Sequence, residues 1–244
     1  MARIDDLLIN ALNGLPPKPD DNAPRHLKQQ YSQKVSEVVA LAVAEELRHR
    51  GMRGARPAPP GVLGGSGAER RMSGGIGAKK VDVTWATEES GLLLAVSIKS
   101  INFRDGRSNN FQKNLINRRG DMLMEAVTLH RRFPYAVIAG LIFLDKGAQT
   151  DDTLKRRSTF LNAHNRLRIF TGRGDPAGRD EQFEVLYILL LDASPFGSSV
   201  TAYEVGDHLT PVSLERVFDK LVEAVAERNP DFYEAVEGSI RRAQ

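Results

Sequence analysis

Lys79-Lys80-Val81-Asp82-Val83-Thr84-Trp85, the turn Ala86-Thr87-Glu88-Glu89-Ser90-Gly91, and Leu92-Leu93-Leu94-Ala95-Val96-Ser97-Ile98-Lys99-Ser100 form the stretch that decides the fold. Two apolar runs flank a short polar segment, which predicts strands over 80–86 and 92–101 joined as a β-hairpin. Pairing brings Asp82 and Lys99 together at one end of the two strands. A carboxylate beside a lysine can seat a divalent cation and activate a water against a phosphodiester. An Asp on one strand opposite a Lys on the next is also an ordinary cross-strand pair, worth only a fraction of a kcal/mol. Placement separates the two readings: Asp82 sits between Val81 and Val83, and Lys99 ends a mostly apolar run, so both charges stand at the mouth of a core.

Outward from the hairpin, Val35, Val38, Val39, Ala42, Val43 and Leu47 recur at helical spacing, predicting a helix from about His26 to Arg50 that stops at Gly51. Residues 51–78 hold many Gly, Pro and Arg residues without periodicity and read as a long mobile loop. Residues 1–25 read as an N-terminal extension, with a short apolar helix from Ile4 to Leu12 and a proline-rich break. After the hairpin, Asn102 to Gln112 is polar and turn-rich. Lys113 to Phe133 is a helix ended by Pro134, and Ala136 to Leu144 is a buried strand. A basic amphipathic helix over Thr153–Phe170, a buried strand over Phe183–Asp192 and a helix over Ser213–Arg228 follow. The order predicts an α/β fold with a mixed central sheet flanked by helices, and residues 26–244 as one domain.

The composition narrows the function. With 41% hydrophobic and 27% charged residues in 244, a sizeable core is possible. The net charge of +3 is unevenly spread, with basic residues concentrated between Arg25 and Lys80 and again from Arg104 to Arg132. Such asymmetry suits a protein with one face toward a polyanion. The chain has no cysteine, which excludes disulfides, thiolate zinc sites and cysteine nucleophiles. No signal-peptide core and no run of transmembrane length is present, so the expectation is a soluble cytoplasmic protein without a membrane partner. Gly74-Gly75-Ile76-Gly77 before Lys79-Lys80 lacks phosphate-loop spacing and leads into a strand, which argues against a nucleotide site. His130 and His164 have no partner at ligand spacing and read as packing or surface histidines.

A helix with a central glutamate, a Gly-rich approach, a strand bearing Asp82, a turn, a strand ending at Lys99, a basic helix and a buried strand resemble the PD-(D/E)xK nuclease fold, the core of many restriction endonucleases. The resemblance covers roughly residues 26–145. It implies that Asp82 binds the metal and that Lys99 orients or polarises the attacking water. The second carboxylate, two residues before the lysine, is replaced here by Ser97, a poor Mg²⁺ ligand. Some restriction enzymes of this fold resemble the present case, with a helix glutamate supplying the missing ligand. The resemblance then points to Glu37 as that glutamate, with Glu45 and Glu46 as alternatives further along the helix.

These readings give a Mg²⁺- or Mn²⁺-dependent DNA endonuclease of restriction or anti-phage defence type. Glu37, Asp82 and Lys99 are its expected catalytic residues, Glu37 and Asp82 its metal ligands. Cutting both strands implies a homodimer, and other defence-system subunits could supply targeting. Lys79 and Lys80 would meet the backbone beside the scissile phosphate. Arg104, Arg107, Asn109, Asn110, Gln112 and Lys113 could position or specify the duplex, since Arg reads guanine and Asn or Gln reads adenine. Arg118 and Arg119 could touch phosphate or pair with neighbouring acids. Two other readings stay open: a catalytically degenerate nucleic-acid-binding subunit, kept alive by Ser97, and a structure-specific nuclease of repair.

Overall fold

A computed structural model describes residues 2–59, 61, 70–74, 77–194 and 197–243, with the side chains of 70–79 and 194 outside that description. Its elements in chain order are α1 (Arg3–Asn13), α2 (Arg25–His49), β1 (Arg70–Gly74), β2 (Gly77–Val81), β3 (Val83–Thr87), β4 (Gly91–Ile101), α3 (Gln112–His130) and β5 (Val137–Asp145). Then come α4 (Thr159–Leu167), β6 (Val185–Ser194), β7 (Gly197–Glu204), β8 (Pro211–Val212), α5 (Leu214–Arg228), β9 (Tyr233–Val236) and β10 (Ser239–Arg242).

The expected hairpin forms. β3 runs antiparallel to β4, with Val83 opposite Val96 and a register shift between Trp85 and Ala86. β4, β5 and β6 are parallel, and β7 and β8 add antiparallel strands, giving a six-stranded mixed sheet in the order β3-β4-β5-β6-β7-β8. β5 and the first part of β6 are apolar at nearly every position because both faces are covered. On one face lie α1, α2 and α5, burying Ile4, Leu8, Val39, Leu47, Phe218 and Leu221 against the sheet. On the other lie α3 and α4, burying Leu115, Met122, Ala126, Phe160 and Leu167. α1 is built into the main core through Ile4, Leu8 and Leu12, so the N-terminal segment is more than an appendage.

Three sequence expectations change here. Within the stretch 51–78, β1 and β2 form an antiparallel ribbon that leads directly into Asp82, and Arg56 bridges to Thr84 on the outer side of β3. Residues 60, 62–69, 75 and 76 of that stretch lie outside the described residues. The basic helix expected over 153–170 is shorter. Thr153 and Arg156 close a turn, Ser158 caps α4, and Arg168–Phe170 tightens into a single 3₁₀ turn. The last strands, β7 to β10, were not expected, because their alternation is broken by Gly, Ser and charged residues.

Candidate active site

Side chains alternate across a strand, and this decides what Ser97 and Lys99 can reach. Both point from β4 toward α3, while Val96, Ile98 and Ser100 point toward the α2 side. α3 is pressed close to the sheet at this level. Gly140 lies beside Ser97 on β5, and a Cβ there would fall 2.7 Å from the Met122 side chain and 2.5 Å from Leu186. Only a residue without a side chain admits this approach. The next turn of α3 then delivers Glu125 over β4.

The arrangement is a compact polar cluster. The Lys99 ammonium lies 3.0 Å from the Glu125 carboxylate and 3.7 Å from Asp82 Oδ2. The Ser97 hydroxyl donates to Glu125 Oε2. The Ile98 backbone N–H donates to Asp82 Oδ2 at 2.6 Å, so the aspartate is oriented by the strand that carries the lysine. The side chains of Lys99, Asp82 and Glu125 retain 11, 14 and 11% of their exposure. They are largely desolvated yet reachable from solvent. Two carboxylates sharing one ammonium, rather than one, is the feature to explain.

Glu37 does not join them. It is exposed on α2, where it accepts from Gln33 at 2.8 Å. Its neighbour Ser36 faces Ser100 from the α2 side of the sheet, with 3.5 Å between the hydroxyls. The sheet itself therefore stands between Glu37 and Lys99. Glu45 and Glu46 are also held elsewhere, by Arg3 and, for Glu46, by Arg50 as well. The helix carboxylate at the cluster is Glu125, on the helix that follows the hairpin. Its signal in the sequence was an acid on the apolar side of that helix, between Met122 and Leu129.

The expected DNA contacts divide. Lys80 is exposed on β2; the Lys79 side chain lies outside the described residues. Arg104 is held over the Phe111 ring, and its backbone N–H donates to Asp21. Arg107 and Asn109 are exposed on the loop before α3, with Asn109 at φ 47°. Lys113 pairs with Asp105 at 3.1 Å, and this hydrogen bond, with those from the Ser108 and Arg107 backbone, lowers the Asp105 carboxyl to about 2. Asn110 is buried within the loop, donating to Ser108 O and accepting from the Gln112 N–H, so its amide is turned inward and not toward a base. Gln112 is half-buried at the start of α3. Arg118 reaches Asp121 at 3.4 Å, and Arg119 is half-exposed further along. His130 and His164 are both buried.

Among the described residues no group of three or more His, Asp or Glu side chains is gathered as a metal-ligand set. Asp82 and Glu125 nonetheless suit Mg²⁺, which binds through one or two carboxylates and keeps several waters. No family model matches the chain, and neither a curated protein nor a solved structure matches it.

Proposed function

We propose that this protein is a metal-dependent endonuclease acting on DNA, with Asp82, Glu125, Lys99 and Ser97 as its active site. The observation that carries the reading is the Lys99 ammonium set between the Asp82 and Glu125 carboxylates at a partly open position. Asp82 and Glu125 would hold Mg²⁺ or Mn²⁺. Bound there, the ion would supply a water of lowered pKa and a charge opposite the phosphate. Lys99 presents an ammonium to the same phosphate and donates to the attacking water, stabilising charge that grows in the transition state. Ser97 fixes the rotamer of Glu125, and the Ile98 N–H fixes Asp82. The ribbon β1–β2, with Lys80 exposed beside Asp82, would follow the DNA backbone. A restriction or defence role, in a homodimer, is the setting this chemistry suits.

The experiment is cleavage of plasmid DNA with Mg²⁺. Wild type should cut, and Asp82→Ala, Glu125→Ala and Lys99→Ala should each slow cutting on the order of 10²–10³-fold. Glu37→Ala should cut like wild type. Full activity in Asp82→Ala and Glu125→Ala would remove the assignment. A wild type that never cuts yet binds DNA with steep salt dependence would favour a non-catalytic binding subunit.

A further inference from the structure

α3 buries one side and exposes two large apolar side chains on the other. Its inner side buries Met122, Ala126 and Leu129. At 100° per residue, Gly120 lies on the opposite, outermost line of the helix. There it is flanked one turn away on each side by Ile116, 54% exposed, and Met124, 43% exposed. α5 shows what a solvated outer face looks like in this protein: Glu215, Arg216, Lys220 and Glu223. Large apolar side chains grouped on the outer line of a helix are a mark of a contact surface. Gly120 adds a second observation. A glycine inside a helix costs about 1 kcal/mol relative to alanine, and no atom lies within 4 Å of where its Cβ would be. Among the described residues nothing uses the space this glycine leaves open.

We infer that the outer ridge of α3, centred on Gly120, is the contact between two copies of this chain, with the two helices parallel. Charge selects the occupant and the direction. Arg119 and Asp121 project to opposite flanks of the ridge, 100° either side of Gly120; Asp121 also reaches Arg118 of its own helix at 3.4 Å, an exposed pair worth little that an interhelical partner can share. A two-fold axis parallel to the helices sets Arg119 of each copy beside Asp121 of the other, twice, as flanking positions do in parallel helix pairs. An antiparallel pair would set Arg119 against Arg119 and Asp121 against Asp121. The surface is thus complementary to itself in one orientation, as an isologous interface requires. Gly120 lets the helices approach closely, and Ile116 and Met124 close over the crossing. Glu125 lies on the same helix, so the pairing would hold both candidate sites to a fixed spacing. The interface itself does not depend on the nuclease reading.

The test uses the full chain without DNA. Light scattering at tens of micromolar should give twice the 27.0 kDa of one chain. Ile116→Asp should give the single-chain mass with a wild-type circular dichroism spectrum, since the site is exposed, and a melting temperature that no longer depends on protein concentration. Because the protein has no cysteine, Gly120→Cys should cross-link under mild oxidation, whereas Lys220→Cys on α5 should not. Arg119→Asp and Asp121→Arg should each weaken the dimer about tenfold, and the double exchange should restore it. A 27.0 kDa wild type with no Gly120→Cys cross-link would overturn the inference. So would a double exchange as weak as the single ones. A dimer that does not cut DNA removes the nuclease reading alone, and a monomer that cuts removes the interface alone.

Discussion

Near its middle and at its end, α3 touches two buried clusters of acids and bases, and they are opposite in stoichiometry. At the candidate site two carboxylates, Asp82 and Glu125, share Lys99. Near His130, one buried carboxylate, Glu184, is surrounded by donors, with the more exposed Asp180 at the edge pairing Arg173 at 3.6 Å and Arg131 at 3.4 Å. It accepts the Ile138 N–H at 2.8 Å and lies 3.2 Å from His130 Nε2. Arg173 and Arg228 approach it as ion pairs at 3.3 and 3.2 Å without hydrogen-bond alignment. Arg173 in turn donates to Pro176 O and Gly178 O, tying down the loop before β6. The second cluster uses its charges to fasten the start of β5 to that loop and to α5. The first fastens little and concentrates negative charge where solvent can enter. Burial of charge alone does not mark a functional site; the ratio of acids to donors does.

Exchanging each acid for its amide tests this contrast most severely. Glu125→Gln should slow Mg²⁺-dependent cleavage on the order of 10²-fold while leaving thermal stability within about 1 kcal/mol of wild type, because it relieves repulsion between two carboxylates. Glu184→Gln should do the reverse. It leaves the buried Arg228 guanidinium without its anion and Arg173 with only Asp180, 3.6 Å away, a loss of roughly 3–5 kcal/mol, or about 10 °C in melting temperature for a chain of this size. Denaturation and plasmid cleavage measured on the same two variants decide the matter. If both lose stability equally and both keep cutting, the candidate site is only a second structural cluster.

His164 extends the comparison to an ionisable group buried with no ion pair. Its Nδ1 accepts the Gly206 N–H, and it packs against Phe160 and Tyr203. Burial, and secondarily His208, lowers it to about 4 against the opposing pull of Asp207. The unfolded chain takes up a proton near the usual histidine value of about 6.5, whereas the folded state does not until about 4. Stability therefore falls as pH drops through this window, by up to about 3 kcal/mol. Carboxylate ion pairs weaken over the lower part of the same range. The diagnostic quantity is thus the difference from His164→Gln, which keeps an acceptor for Gly206. Melting temperatures from pH 7 to 5 should fall less in that variant, and equal slopes would show that His164 does not set them.

How much of this was legible in the sequence follows from which forces are local. β3, β4, α3, β5 and α5 were readable because each carries a long apolar pattern at its own period. Asp82 and Lys99 were readable because charge interrupts apolar runs there. The β1–β2 ribbon was not, since its Gly- and Arg-rich sequence lacks alternation and its strands form through pairing. Glu37 stands apart from Asp82 and Lys99 for a topological reason. The sequence places α2 near the hairpin but does not say on which face of the sheet, whereas Ser97 and Lys99 open only toward the α3 face. Gly140 carries the missing information, because it is the one position on β5 where a helix can press close, and Met122 and Glu125 follow from it.

Ser97 gives the smallest and most specific prediction. Read as a vacancy, it is a lost ligand; in place, its hydroxyl donates to the Glu125 carboxylate. A hydrogen bond to a charged group contributes about 1.5–3 kcal/mol, and here most of that holds a rotamer. Ser97→Ala should therefore slow cleavage about tenfold and raise the Mg²⁺ concentration needed for half-maximal rate, whereas Ser97→Thr should stay near wild type. The contact also shows that position 97 reaches the space Glu125 fills. Ser97→Glu combined with Glu125→Ala should accordingly recover part of the cleavage that Glu125→Ala alone loses, because the carboxylate returns from the strand instead of the helix. If Ser97→Ala cuts at the wild-type rate and the exchange recovers nothing, Ser97 is a packing residue and Glu125 acts without it.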